Sequence, residues 1–323
     1  MKLRSSIFIM VFILTSGFTA FGQDTQRVSE ALGNVSEGLV GYIGVAAQDL
    51  KTGKQVFLNG DDPFPMASTY KIAIAVTLLS KVESGELSLT KIIEIKDEEW
   101  VLSDIIASNF IHQGVALSLA NIMEVMITHS DNTATNVALR LAGGPAAVND
   151  HMKQLGIKGM HMDRTTSDYS RDFYGQEPGR ENMKEAIKNL SADPAIANDP
   201  QSEFEADSKD KSTPRAMLNL LTMIYEGKVI NNENTAFLLG IMSRTVTGPN
   251  RLRGLLPGET PVAHKTGTLG GIANDVGYIT LPDGHRFAIV VFTRGSATPQ
   301  SDRDRAIAEV SRTLYDYFVL ISE

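Results

Sequence analysis

The sequence predicts an α+β fold: an antiparallel sheet from N- and C-terminal strands packed with helices, plus a helical lobe from the middle of the chain. Two observations carry this expectation. Strand-turn-strand patterns cluster near the two ends, and apolar repeats at helical spacing fill what lies between. A chain of 323 residues can bury a large core as one domain or two lobes, so a cleft between sheet and helices is expected.

In chain order, "MKLRSSIFIMVFILTSGFTAFGQ" begins with basic Lys2 and Arg4, an apolar run from Ile7 to Leu14, then small Ala20 and Gly22 before Gln23. That is the pattern of a secretory signal over residues 1–22, cut before Gln23. A membrane anchor would need ~20 apolar residues, and Ser16 to Gly22 interrupts the run too early. Residues 42–59 read as a hairpin turning at Lys51-Thr52-Gly53. Helices are expected at about 69–84, 119–128, 133–142, 214–226 and 233–243, with Pro214 starting one and Gly85, Gly143 and Gly227 ending others. Residues 274–295 read as a second hairpin turning at Pro282-Asp283-Gly284, followed by an amphipathic helix from about Asp302 to Tyr317. The expected organisation is a mature domain over 23–323, its sheet lobe from about 23–66 and 258–323 and its helical lobe from about 67–257.

Composition narrows the chemistry. Cysteine is absent, so disulfides and thiolate zinc sites are excluded. A net charge of −8 argues against a nucleic-acid partner. The six histidines, at 112, 129, 151, 161, 264 and 285, show no ligand-pair spacing.

Three short motifs carry the function. In "PFPMASTYKIAIAV", Ser68 and Lys71 stand three apart, so at a helix start their side chains share a face. The run from Ile72 to Leu79 is apolar nearly all round, which implies burial. A desolvated lysine favours its neutral form, which can accept a proton, and free N–H groups at a helix N-terminus favour negative charge developing beside Ser68. By itself the pair reads rather as an N-cap serine followed by a lysine that snorkels to solvent, and it takes two further motifs to overturn that reading. "SDN", Ser130-Asp131-Asn132, falls where one helix ends and another begins, so its side chains can project from the break. "HKTGT", residues 264–268, ends an expected strand, and Gly267 permits close approach of a ligand to the backbone. A serine, a buried lysine, a second serine, an amide and a second lysine together make an acyl-transfer set.

S-x-x-K, S-D-N and K-T-G are the known signature of class A β-lactamases and penicillin-binding proteins, and their order and spacing here resemble a class A β-lactamase. The likeness extends through "SDNTATNVAL", "STPRAM" and "TVTGPNRLRGLLP" over most of the mature chain. It implies the serine β-lactamase/transpeptidase fold and an exported hydrolase, periplasmic or secreted, acting on small β-lactams. No cofactor, no nucleic acid, no membrane anchor after signal cleavage and a monomeric state are expected. By the resemblance, Ser68 attacks the β-lactam carbonyl, Lys71 removes or relays its proton, and Ser130 protonates the departing ring nitrogen. The backbone N–H groups of Ser68 and Thr268 form the oxyanion hole. Asn132 binds the substrate's amide side chain, and Lys265 and Thr266 hold its carboxylate together with Arg251.

One stretch departs from the family. Its loop pattern D-R-x-E-x-x-L-N aligns at Asp163 and Arg164, which leaves Thr166 at the glutamate that activates water and Ser170 at the asparagine. The connection then runs over residues 165–209 before Asp210, the acid expected to pair with Arg164, with a short helix at about 179–190. Glu177, Glu181 and Glu185 are the acids this loop could bring back toward Ser68. Two further readings follow: a penicillin-binding or slow serine hydrolase that acylates but deacylates poorly, and a non-enzymatic exported binding module.

Overall fold

The two ends of the chain meet in one sheet. The computed structural model describes residues 18–110, 112–192 and 199–322. The charged and apolar part of the expected leader, residues 1–17, lies outside them, and the first described helix begins at Phe18, ahead of Gln23. Helix α1 (Phe18–Glu37) leads into strands β1 (Tyr42–Asp49) and β2 (Gln55–Leu58), then the two-residue strand β3 (Phe64–Pro65) and helix α2 (Lys71–Glu83). Next come β4 (Ile92–Glu94), α3 (Ile106–Asn109), β5 (Ala116–Ser118), α4 (Leu119–Thr128), α5 (Asn132–Ala142), α6 (Gly144–Gln154), α7 (Thr166–Tyr174) and α8 (Met183–Ala192). The chain continues through α9 (Ser202–Ala206), β6 (Lys211–Ser212), α10 (Pro214–Tyr225) and α11 (Asn232–Ser243). Strands β7 (Val262–Leu269), β8 (Ile272–Thr280) and β9 (Arg286–Arg294) and helix α12 (Gln300–Ser322) complete it.

The five-stranded antiparallel sheet has the order β2-β1-β9-β8-β7, so the N-terminal hairpin docks on the C-terminal meander, with Tyr42 opposite Arg294 and Asp49 opposite Phe287. Alternation along each strand sends side chains to two cores. Val45, Ala47, Ile289 and Val291 face a cluster with Leu32 of α1 and Ile307, Val310, Leu314 and Phe318 of α12. Ala46, Ala288, Val290 and Phe292 face the opposite cluster, which runs on into the helices. Because both faces are covered, β1, β7, β8 and β9 are buried at most positions. A fully buried Val, Ile or Leu contributes about 1.5–3 kcal/mol, so the sheet is a rigid base for β7, its edge strand.

At the centre of the helical core, α2 is buried continuously from Lys71 to Leu79, as its all-round apolar sequence requires. Helices α4, α5, α10 and α11 occupy the expected segments, and Gly143 ends α5 at φ 105°, a conformation that costs glycine little. Helices α1, α3, α6, α7 and α9 and the pairs β3–β6 and β4–β5 were not foreseen. The paired strands are only two or three residues long, too short for a period-2 signal, and α7 has few apolar positions. The expected helix at 179–190 is a 3₁₀ turn over Arg180–Asn182 running into α8.

Candidate active site

Ser68 lies in a 3₁₀ turn, Ala67–Tyr70, that feeds directly into α2. Ala67 holds φ 43°, a left-handed conformation costing a non-glycine residue about 1–3 kcal/mol unless its surroundings enforce it. The surroundings do. Asn274 of β8 donates to the carbonyls of Pro65 (2.8 Å) and Met66 (3.0 Å), and Thr69 Oγ1 donates to Met66 O at 2.7 Å. Edge strand β7 lies against the turn so closely that a Cβ on Gly267 would stand 2.8 Å from Met66 O and 3.0 Å from Ser68 N. The expectation for Gly267 is therefore corrected: its missing side chain makes room for the protein's own nucleophile turn. Strand β7 also runs one residue beyond the HKTGT motif, to Leu269.

Ser130 sits between two lysines. Lys71 Nζ donates to Ser130 O (2.6 Å), Ser130 Oγ (3.1 Å) and Asn132 Oδ1 (2.9 Å), and Lys265 Nζ donates to Ser130 Oγ (2.9 Å) and Thr266 O (2.7 Å). Both lysines are fully buried. Burial lowers Lys71 to about 7, against the opposing pull of Asp131 and Asp104. Lys265 is likewise held well below the usual lysine range, first by burial and then by Lys71. Lys71 is thus no snorkelling lysine, and Ser130 Oγ can accept from either ammonium while giving its own proton elsewhere.

The helix break supplies this geometry. Ser130 holds φ 57°, and buried Asp131 fixes the corner: its Oδ1 caps α5 at Ala134 N (2.8 Å), and its Oδ2 accepts from Ile106 N (2.8 Å) and Ile105 N (3.2 Å). Asn132, first in α5, gives one amide hydrogen to Leu102 O at 3.1 Å and keeps the other.

Two clefts open on Ser68. One, of about 350 Å³, is lined by Ser130, Asn132, Thr247, Thr266, Thr268 and the loop from Leu102 to Ser108. That size suits a drug-sized molecule. Thr247 Oγ1 bonds Thr266 Oγ1 at 2.6 Å, and Asp104 is the one carboxylate on either wall among the described residues. Arg251 is buried behind β7 and lines neither cleft. It donates to Asp304 (2.7 Å), Gly267 O (3.0 Å), Asn274 O (2.9 Å) and Thr268 Oγ1 (2.7 Å). Its charge reaches the cleft through Thr268. Arg251→Ala is expected to raise KM more than it lowers kcat and to destabilise the fold by about 3–5 kcal/mol, since Asp304 loses its buried partner. Steady-state kinetics beside a urea titration checks both, and an unchanged kcat/KM would take Arg251 out of recognition.

The second cleft, of about 80 Å³, has walls from Tyr70, Val101, Leu102, Tyr169, Tyr174 and Leu269, with Thr166 and Ser170 among them. Thr166 and Ser170 do face Ser68, and Tyr70 hydrogen-bonds Thr166 through their hydroxyls at 2.9 Å. Arg164 pairs with Asp210 at 2.5 Å as the sequence suggests. Glu177, Glu181 and Glu185 are exposed and line neither cleft at Ser68. Glu177 pairs with Arg171 at 3.0 Å, and Glu177 and Glu185 border a separate groove. Instead of delivering an acid, the long connection fastens both rims of the second cleft. Gly179 N donates to Trp100 O (2.8 Å), with the Arg180 guanidinium 3.9 Å from the Trp100 ring centroid, on the rim of Val101 and Leu102. Asp199, Pro200 and Phe173 press on the β7–β8 turn, where a Cβ on Gly270 would meet Asp199 O at 2.6 Å. Sequence reasoning missed Tyr70, Asn274 and Asp304; only Tyr70, inside S-x-x-K, stood beside a recognisable motif.

The profile of the beta-lactamase enzyme family matches residues 27–318, nearly the whole described chain. The chain belongs to that family. It is similar to a β-lactamase of Bacteroides uniformis, 28% identical over 91% of this chain and 92% of that protein. It is also similar to the extended-spectrum β-lactamase PER-1 of Pseudomonas aeruginosa, at 28% over 94% and 92%. Among solved structures, a β-lactamase from Chitinophaga pinensis superposes with TM-score 0.73 at 30% identity, covering 91% of this chain and 98% of that one. A reconstructed ancestral class A β-lactamase of Gram-negative bacteria gives 0.75 at 29%, covering 90% and 99%. Family membership in class A and the α+β fold are thereby established.

Proposed function

We propose that this β-lactamase family member hydrolyses the β-lactam amide through an acyl-enzyme on Ser68. Ser68 Oγ attacks the carbonyl carbon and its proton passes to Lys71. The C–N bond breaks as Ser130 gives its proton to the ring nitrogen, and Lys71 returns a proton to Ser130. The N–H groups of Ser68 and Thr268 stabilise the oxyanion, Asn132 takes the substrate's amide side chain, and Lys265 and Thr266 hold the carboxylate, with Arg251 acting through Thr268. What carries this reading is the position of Ser130 Oγ, 3.1 Å from one buried lysine nitrogen and 2.9 Å from another. A serine so placed can relay a proton between nucleophile and leaving group.

The protein is exported, periplasmic or secreted, as a monomeric catalytic domain over 23–323 with sheet and helical lobes. The basic-then-apolar N-terminus supports this, and no helix among the described residues is long and apolar enough to cross a membrane. A second reading, a hydrolase that acylates readily and deacylates slowly, is favoured by one observation: among the described residues, the walls of the second cleft carry no carboxylate. A positioned base is usually worth about 10²- to 10⁴-fold. Stopped-flow turnover of nitrocefin is therefore expected to show a burst and a slower steady state, with the acyl-enzyme visible by intact mass. Absence of both turnover and any covalent adduct would remove the serine mechanism. Rapid turnover with no burst would remove the slow-deacylation reading alone.

A further inference from the structure

Tyr70 and Thr166 are both buried, 3% and 4% exposed, and their hydroxyls bond to each other at 2.9 Å on the wall of the second cleft. A bonded pair of hydroxyls uses one hydrogen and leaves the other unspent. Neither oxygen makes another hydrogen bond among the described residues, so one O–H of the pair has no acceptor among them. A buried donor left so costs about 1–3 kcal/mol, and it calls for a small polar partner in the cleft. The Ser170 hydroxyl lies on the same wall, also without a hydrogen-bond partner among the described residues. Ser68 borders the cleft as well.

The pair is held rigidly. Tyr70 stacks on Tyr169 with centroids 5.7 Å apart and planes 19° from parallel, and the Arg164 guanidinium lies 4.7 Å over the other ring. Arg164 is itself fixed by Asp210 and Asp172. Burial pushes the Tyr70 hydroxyl well above the usual tyrosine range, so it stays a neutral donor and cannot serve as a base.

We infer that the hydroxyls of Tyr70, Thr166 and Ser170 hold the water that releases the acyl group from Ser68. They are positioning groups, and the inference rests on the acyl-enzyme reading above. The water oxygen bonds to the acyl carbon and the ester bond to Ser68 Oγ breaks. The water's proton passes to Lys71, left neutral when it reprotonates Ser130, and Lys71 returns a proton to Ser68. Asn132, on the same wall, bonds Lys71 at 2.9 Å and links the water site to that amine. Asp104 belongs to the opposite cleft, with Thr247 and Thr266.

The test separates the two chemical steps. Tyr70→Phe keeps the stacked ring and removes the hydroxyl, and Thr166→Val keeps the shape of the threonine. For each, the acylation rate with a penicillin should stay within about twofold while the acyl-enzyme lifetime lengthens about tenfold, the effect of one neutral hydrogen bond. Thr166→Ser, which retains a hydroxyl, should restore the lifetime. Unchanged or shorter lifetimes in both variants would overturn the inference and make the pair a plug. Slowed acylation with an unchanged lifetime would overturn it too, by assigning the unspent hydrogen to the substrate. Failure of the unmutated protein to acylate at all would instead remove the serine mechanism, and the two failures are distinguished by intact mass before any variant is made.

Discussion

Ser68→Ala will abolish covalent capture of a fluorescent penicillin and leave the protein folded. The first half follows from the chemistry: no other group in the site combines a hydroxyl at a helix start with a buried amine on the same turn. Lys71 and Lys265 are engaged with Ser130, and Ser130 projects from the helix break as a relay. Loss of a nucleophilic serine costs on the order of 10⁶-fold in comparable hydrolases, so residual labelling should fall below detection. The second half follows from packing. Ser68 is only partly buried, its hydroxyl accepts no capping bond, and the strained turn is held by Asn274 and Thr69. Truncation at such a site shifts stability by about 0.5 kcal/mol or less. Gel fluorescence beside a thermal melt measures both, and labelling that survives in folded Ser68→Ala protein would move the nucleophile elsewhere.

Much of this was legible in the sequence, and the reason differs from element to element. The hairpins at 42–59 and 274–295 announce themselves because β-branched runs flank turn residues, and their antiparallel docking follows from the burial both need. Helices α4 and α5 are readable because Ser130-Asp131-Asn132 interrupts an apolar repeat. The three site motifs are local, so spacing alone brings Ser68 to Lys71 and Asn132 to Ser130. What stayed hidden depends on contacts between distant segments. Gly267 looks like a gap for a ligand until β7 is seen against Met66 and Ser68. Asn274 reads as an ordinary strand residue, yet it pins the nucleophile turn from 208 positions away. By the resemblance Arg251 holds the substrate carboxylate with Lys265 and Thr266, and it is instead buried between Asp304 and Thr268, lining neither cleft. The long connection looked able to deliver an acid, but Glu177 bonds Arg171 at the surface while Tyr70 and Thr166 take the wall beside Ser68.

Lys71→Ala will lower the acylation rate by about 10²- to 10⁴-fold, the range for loss of a positioned proton acceptor. The structure gives the reason and a pH signature. A lysine in water is almost wholly charged near pH 7 and accepts nothing. Here desolvation disfavours the charged form and lowers Lys71 to about 7, although Asp131 and Asp104 pull the other way. The sign follows directly: below pH 7 the amine is protonated and inactive, so acylation should climb as pH rises toward 7 and level off above it. On the acid side the slope should approach tenfold per pH unit, because one proton must leave one group. Lys71 now bonds Ser130 and Asn132 and not Ser68, so a small rotation of its side chain, or relay through Ser130, must accompany proton transfer. Lys71→Arg should not rescue the rate, since a guanidinium stays charged throughout this range. Single-turnover acylation measured from about pH 5.5 to 8.5 decides the matter. A flat profile, or full activity in Lys71→Arg, would show that the proton of Ser68 leaves by another route.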